Sequence, residues 1–194
     1  TPALGLSVMP AVVHAFAQQH PDVHVRLQTL STPQLREGLL HGQFDLALST
    51  TPMHHPQLDA STLHRSNAVC VLHPAHPLAA RSALHVRDLQ DQVLLTLHTD
   101  DEIYLQLKGT MEQHGIAAAS TVETTYSATI CMLAAQGTGV GVVNPYIASV
   151  FAQQLRSLPL LPRCPVEVVL AFAPQSAPST MAEHFATLLQ NHFQ

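Results

Sequence analysis

The sequence predicts an α/β protein built as two lobes joined by a pair of strands. Three observations predict it. Apolar residues switch between a helical and an extended period from Met9 to Leu48, the same switching restarts at Val93, and two apolar runs, Ala68 to Leu72 and Val166 to Phe172, flank that second series. Strands alternating with helices of about 10 to 15 residues imply parallel βαβ units with right-handed crossovers. With 194 residues, 46 % of them hydrophobic and only 11 % charged, the chain has ample material for a core and is far from the composition of disordered segments.

Each element follows from its own residues. Met9, Val12, Val13 and Phe16 share one helical face, and Pro21-Asp22 ends that helix. Val23, Val25 and Leu27 alternate with polar residues, which predicts a strand; Ser31-Thr32-Pro33 then starts a short helix to about Gly42. Phe44, Leu46 and Leu48 predict the next strand, closed by the Pro/His-rich stretch from Thr50 to Pro56. Ala68 to Leu72 is an apolar run ended by Pro74 and Pro77.

In the second series, Val93 to Leu97 is a strand and Thr99-Asp100-Asp101-Glu102 opens a helix carrying Ile103, Leu107 and Met111, with Gly115 past its end. Ser120 to Glu123 is extended. A helix with Ile130, Leu133 and Ala134 stops at Gly137, Val140 to Val143 is a strand, and Asn144-Pro145 caps another helix. Val166 to Phe172 is the second joining strand, and Met181, Phe185, Leu188 and Leu189 mark a C-terminal amphipathic helix. The expected lobes are residues 1–71 plus 173–194, and 72–172.

Charge and chemistry exclude several functions. Eight Lys+Arg against 13 Asp+Glu give a net charge of -5, the wrong sign for a surface that neutralises phosphates. Three separated cysteines in apolar surroundings, Cys70, Cys131 and Cys164, fit a reducing compartment better than a disulfide framework or a zinc site. Thr1-Pro2-Ala3-Leu4 shows no secretion signal within these residues. Thr124 to Leu155 carries no formal charge and is long enough to span a bilayer, but Gly137, Gly139, Gly141, Asn144-Pro145 and three glutamines argue for buried α/β structure instead.

Gly137-Thr138-Gly139-Val140-Gly141 follows a helix and leads into a strand, the reverse of a dinucleotide loop, so no nucleotide cofactor is expected. The 14 histidines lack metal-ligand spacing: His73 and His76 are separated by proline, and His54-His55 are adjacent. No Gly-x-Ser-x-Gly elbow is present, and Cys131 lies among apolar neighbours, so no nucleophile and no enzyme are expected.

Small hydroxyl and acidic residues gather at strand-to-helix junctions: Thr1, Ser31 and Thr32 in the first series, Thr99, Asp100, Asp101, Ser127 and Thr129 in the second. Open α/β sheets bind ligands at the carboxyl ends of their strands, and helix N-termini there attract anions. Ordinary N-capping accounts for any one of these residues singly.

Met9-Pro10, Phe16, Pro21-Asp22-Val23, Leu39 to Gly42, Phe44-Asp45-Leu46-Ala47, His76-Pro77-Leu78-Ala79, Asp88-Leu89, Gly115, Glu123 and Gly137-x-Gly139-Val140-Gly141-Val142-Val143 cover nearly the whole chain. In this order and spacing they resemble the effector-binding domain of LysR-type transcriptional regulators, itself similar to a type-2 periplasmic binding protein. The resemblance implies two Rossmann-like lobes joined by a two-stranded hinge, with a small-molecule effector in the cleft. It also implies a cytoplasmic homodimer or homotetramer that reaches DNA through a winged helix-turn-helix not included in these residues. The family's first strand would end just before Thr1.

By the same resemblance, the ligand-contacting residues are Thr1, Pro2, Ala3, Ser31 and Thr32 in one lobe. In the other they are His98, Thr99, Asp100, Asp101, Tyr126, Ser127, Thr129 and Asn144. Asp100 or Asp101 is expected to receive an ammonium or guanidinium group, and Thr125 to Gly141 leans toward the branch that senses amino acids and opines. The alternatives are a solute-binding protein of a transporter and a small-molecule enzyme on the same fold, the latter with His98, Asp100, Asp101, Glu102 or Glu123 as its base.

Overall fold

A computed structural model describes residues 1–98, 101–174 and 178–194. In chain order the elements are α1 (Pro2–Ser7), α2 (Met9–Gln19), α3 (Thr32–Leu40), β1 (Leu46–Ser49), β2 (Asp59–Asn67), β3 (Val69–Leu72), β4 (Leu84–His85) and β5 (Val93–Leu97). They continue with α4 (Glu102–Gln113), β6 (Ser120–Thr124), α5 (Ser127–Ala135), β7 (Val140–Val143), α6 (Pro145–Val150), β8 (Arg156–Leu161), β9 (Pro165–Phe172) and α7 (Thr180–His192).

The chain divides into two compact units. Residues Thr1–Arg65 with Glu167–Gln194 form the first, and Ser66–Val166 the second. The boundaries expected from the sequence lie six residues further along, at 71/72 and 172/173. The stretches of chain that pass between the units belong to β2 and β9, whose residue ranges include the boundaries.

The first unit holds a sheet of order β1-β9-β2, with β1 antiparallel to β9 and Leu48 opposite Leu170. Leu35 and Leu39 of α3 pack with Ala47, Met53, Val169 and Ala171 on one core. Helices α2 and α7 meet where the rings of Phe16 and Phe185 contact edge to face at 5.1 Å, a favoured aromatic geometry.

The second unit holds a sheet of order β4-β8-β3-β7-β5-β6. Its β7, β5 and β6 are mutually parallel, as the alternating pattern predicts, but β3 runs antiparallel to both β7 and β8. The sheet is therefore mixed rather than built of parallel units alone. Leu94 of β5 packs with Ile103, Leu107 and Met111, the apolar stripe of α4, and with Val140 and Val142 of β7. Gly115 and Gly137 stop α4 and α5 with φ of +65° and +76°, a conformation glycine adopts without steric cost.

Two further expectations are corrected. Val23 to Leu27 is not a strand: Val23 and Leu27 are exposed, and, among the described residues, 24–30 have no backbone hydrogen bond to another part of the chain. The run Ala68 to Leu72 does not join the lobes. It forms β3, inside the second unit, and the joining role falls to β2. The expected elements also omit α1 and strands β2, β4 and β8; β2 is exposed along its first half and carries no apolar alternation to reveal it. Among the described residues no helix is long and apolar enough to cross a membrane.

Glycines next to the parallel strands give a test. A Cβ at Gly139 would collide with the Val93 carbonyl, whereas one at Gly109, inside α4, meets nothing within 4 Å. Gly139→Ala should lower unfolding free energy by about 2 kcal/mol or more, and Gly109→Ala should raise it by about 0.5–1 kcal/mol. Urea denaturation of the two variants checks both signs.

Candidate functional site

In the second unit each of three adjacent parallel strands leads into a helix. β5 is followed by α4, β6 by α5 and β7 by α6. The N-termini of these helices, with their free N–H groups and partial positive charge, therefore gather along the carboxyl edge of one sheet.

Asp101 begins α4, its Oδ1 accepting from the N–H groups of Ile103 at 2.9 Å and Tyr104 at 3.1 Å. Burial pushes the Asp101 carboxyl above the ordinary carboxylate range, against the opposing pull of those two N–H donors. Asn144 is 4 % exposed, and its Oδ1 accepts from Ile147 N–H at 3.0 Å to cap α6. Tyr126 precedes α5 and is 56 % exposed, Ser127 is buried, and Thr129, in the first turn, is half-buried. His98 follows β5, with Nε2 4.0 Å from Oε1 of Glu123 on β6. Thr99 and Asp100 lie outside the described residues.

The first unit gathers a second group at the carboxyl end of β1. Thr1 stands at the N-cap position of α1 without a side-chain capping bond, and its amino group donates to the Leu48 carbonyl at 2.8 Å. Pro2 occupies the first helical position and Ala3 is buried behind it. Thr32 Oγ1 lies 3.0 Å from Oγ of Ser49, and Ser49 Oγ also accepts from Thr51 N–H at 3.0 Å. Ser31 is engaged locally: its N–H and hydroxyl both donate to Gln34 Oε1, at 3.1 and 2.8 Å.

Sequence reasoning missed Ser49, which is fully buried and ties Thr32 to the end of β1. A serine ending an apolar strand just before Thr50-Thr51-Pro52 was the available signal. Among the described residues two buried hydroxyls have no hydrogen-bond partner: Thr1 Oγ1, on a residue the sequence singles out, and Thr96 Oγ1, on one it does not. Thr96 stands on β5 directly beside Glu123 in the β5/β6 register.

Nucleophilic chemistry has little support in these groups. Burial pushes the thiols of Cys70 and Cys131 up to about 12 and that of Cys164 up to about 11, far from the thiolate a nucleophile needs. Among the described residues no group of three or more metal-ligating side chains converges.

The sequence profile of the family described as LysR substrate binding domain matches residues 1–194. The chain belongs to the LysR substrate-binding domain family. This LysR domain is 26 % identical over 188 residues to the regulatory protein NocR of Agrobacterium tumefaciens (strain T37), covering 96 % of the domain and 63 % of that protein. It is 31 % identical over 152 residues to the transcriptional activator protein LysR of Escherichia coli (strain K12), covering 78 % of the domain and 49 % of the activator. The domain thus spans about half to two thirds of the length of these relatives. Among solved structures, the BenM effector-binding domain with its effector benzoate superposes with a TM-score of 0.82 at 20 % identity, covering 98 % of this chain and 88 % of that one. That likeness establishes the fold, the type-2 periplasmic-binding-protein arrangement that the resemblance implies.

One measurement tests the local chemistry. Asp101→Ala removes the cap of α4 and should lower unfolding free energy by about 1 kcal/mol in thermal or urea denaturation.

Proposed function

We propose that this domain is the sensor of a LysR-type transcription regulator, binding a small anionic or zwitterionic metabolite and thereby controlling transcription. The observation that carries the reading is the alignment of three helix N-termini at the carboxyl ends of β5, β6 and β7, an arrangement suited to holding a carboxylate. Hydroxyls of Thr1, Ser31, Thr32, Ser127 and Thr129, with N–H groups of Pro-flanked and capped first turns, supply neutral donors. His98, Thr99, Asp100, Asp101, Tyr126 and Asn144 complete the contact set, and Asp100 or Asp101 takes an ammonium or guanidinium group by a charge-assisted hydrogen bond.

In this reading the effector acts only through its difference in affinity between two conformations of the domain. The full regulator, a cytoplasmic homodimer or homotetramer, transmits that difference to a separate DNA-binding domain; the net charge of -5 leaves contact with phosphates to that other part. The regulatory character of the matched relatives supports a sensor over a transporter's solute-binding protein or an enzyme.

Titration calorimetry with the proteinogenic amino acids, ornithine and benzoate tests the reading. At least one compound carrying a carboxylate should bind, and Ser127→Ala or Thr129→Val should weaken it about tenfold, the cost of one hydrogen bond to a charged group. Binding that ignores both substitutions, or turnover of the bound compound, contradicts it.

A further inference from the structure

At the carboxyl ends of β5 and β6 the formal charge is one-sided. The stretches that close these strands and open the next helices, residues 97–104 and 123–129, hold Asp100, Asp101, Glu102 and Glu123 and no lysine or arginine. Such a surface repels a dianion and favours a ligand that carries a cation beside its carboxylate. The four acids are not equivalent. Asp101 Oδ1 is committed to the N–H groups of Ile103 and Tyr104. Glu102 stands one turn before Gln106 on α4, the stripe whose Gln106 Oε1 accepts from Cys164 Sγ–H at 3.3 Å. Asp100 lies outside the described residues. Glu123 is on a strand and caps no helix.

Two further groups gather around Glu123. Thr96 stands opposite it in the parallel β5/β6 pairing, on a strand about 4.8 Å away, and residues paired in this way turn to the same face. Thr96 is 3 % exposed, and among the described residues its Oγ1 has no hydrogen-bond partner. A buried hydroxyl in that state costs free energy that a neighbouring acceptor would recover. His98, just past the end of β5, brings Nε2 to 4.0 Å from Glu123 Oε1, with both side chains about half exposed. A buried, unsatisfied donor thus lies behind an acid whose outer side is open to solvent.

We propose that Glu123 determines the class of effector: together with His98 it receives an ammonium or guanidinium group of the bound metabolite, and Thr96 is a positioning residue whose hydroxyl donates to the Glu123 carboxylate. This rests on the sensor reading and adds Glu123 and Thr96 to its contact set. The spacing fits the chemistry. Two acceptors 4.0 Å apart can each lie about 2.9 Å from one nitrogen, and an ammonium brings three N–H donors. His98 Nε2 accepts when the imidazole carries its proton on Nδ1. The carboxylate of the same ligand has α5 to meet. Asp101 and Asn144 close α4 and α6 with side-chain caps, whereas α5 begins at Tyr126 without one.

Titration calorimetry with ornithine, arginine and pentanoate separates the cation from the carboxylate, since pentanoate carries only the latter. Ornithine or arginine should bind at least about tenfold more tightly than pentanoate. Glu123→Gln should weaken that cationic ligand by about ten- to a hundredfold and leave pentanoate unchanged. Thr96→Val should raise the melting temperature, because it removes an unpartnered buried hydroxyl, yet weaken the cationic ligand by about fivefold. A merely structural role for Thr96 would not change the ratio between the ligands. Three outcomes overturn the proposal and leave the sensor reading standing: equal loss for pentanoate and the cationic ligand, no loss in a Glu123→Gln protein that melts as the parent does, or binding of pentanoate while ornithine and arginine are ignored. A domain silent to every carboxylate contradicts the sensor reading and this inference together.

Discussion

The arrangement of this domain depends on one constraint, the polarity of a strand that feeds a helix. A parallel strand must be followed by a crossover, and when that crossover is a helix its N-terminus emerges where the strand ends. In the second unit this happens at three neighbouring strands, so capping side chains that serve their own helices also share one edge of the sheet. Asp101 and Asn144 show it most clearly: each carboxylate or amide oxygen holds its helix's first N–H groups at that shared edge.

The same principle explains why capping and binding were hard to separate from sequence. Ser31 is occupied by Gln34, and its hydroxyl serves the local turn. Thr32, its neighbour, reaches across to Ser49 on a different element. Both were read from one Ser-Thr-Pro signal, and nothing in that signal distinguishes the local bond from the long-range one. Ser49 was marked only by its place at the end of an apolar strand; its role is recognised by its partners, not by its spacing.

The strongly periodic elements were legible. α2, α4 and α7 each present an apolar stripe to a core, β5 and β7 are continuous apolar runs, and Gly115 and Gly137 sit at positive φ where helices stop. What periodicity could not give was pairing. The alternating residues from Val23 to Leu27 have the pattern of a strand but no neighbour to bond, and β2 has neighbours but no pattern. Likewise β3 has the apolar composition of a parallel strand yet lies antiparallel between β7 and β8, since burial on both faces, not direction, selects such residues.

The central claim is that an effector is held by the first turns of helices at the carboxyl ends of these strands. Its most direct test is the map of backbone amide shifts on adding a carboxylate that calorimetry shows to bind. The account predicts that the perturbed amides cluster at residues 101–104, 127–130, 146 and 147 in the second unit, and at 31, 32, 34 and 49–51 in the first. Perturbations confined to β2, β8 or the outer face of α7, with those first turns unmoved, would contradict it.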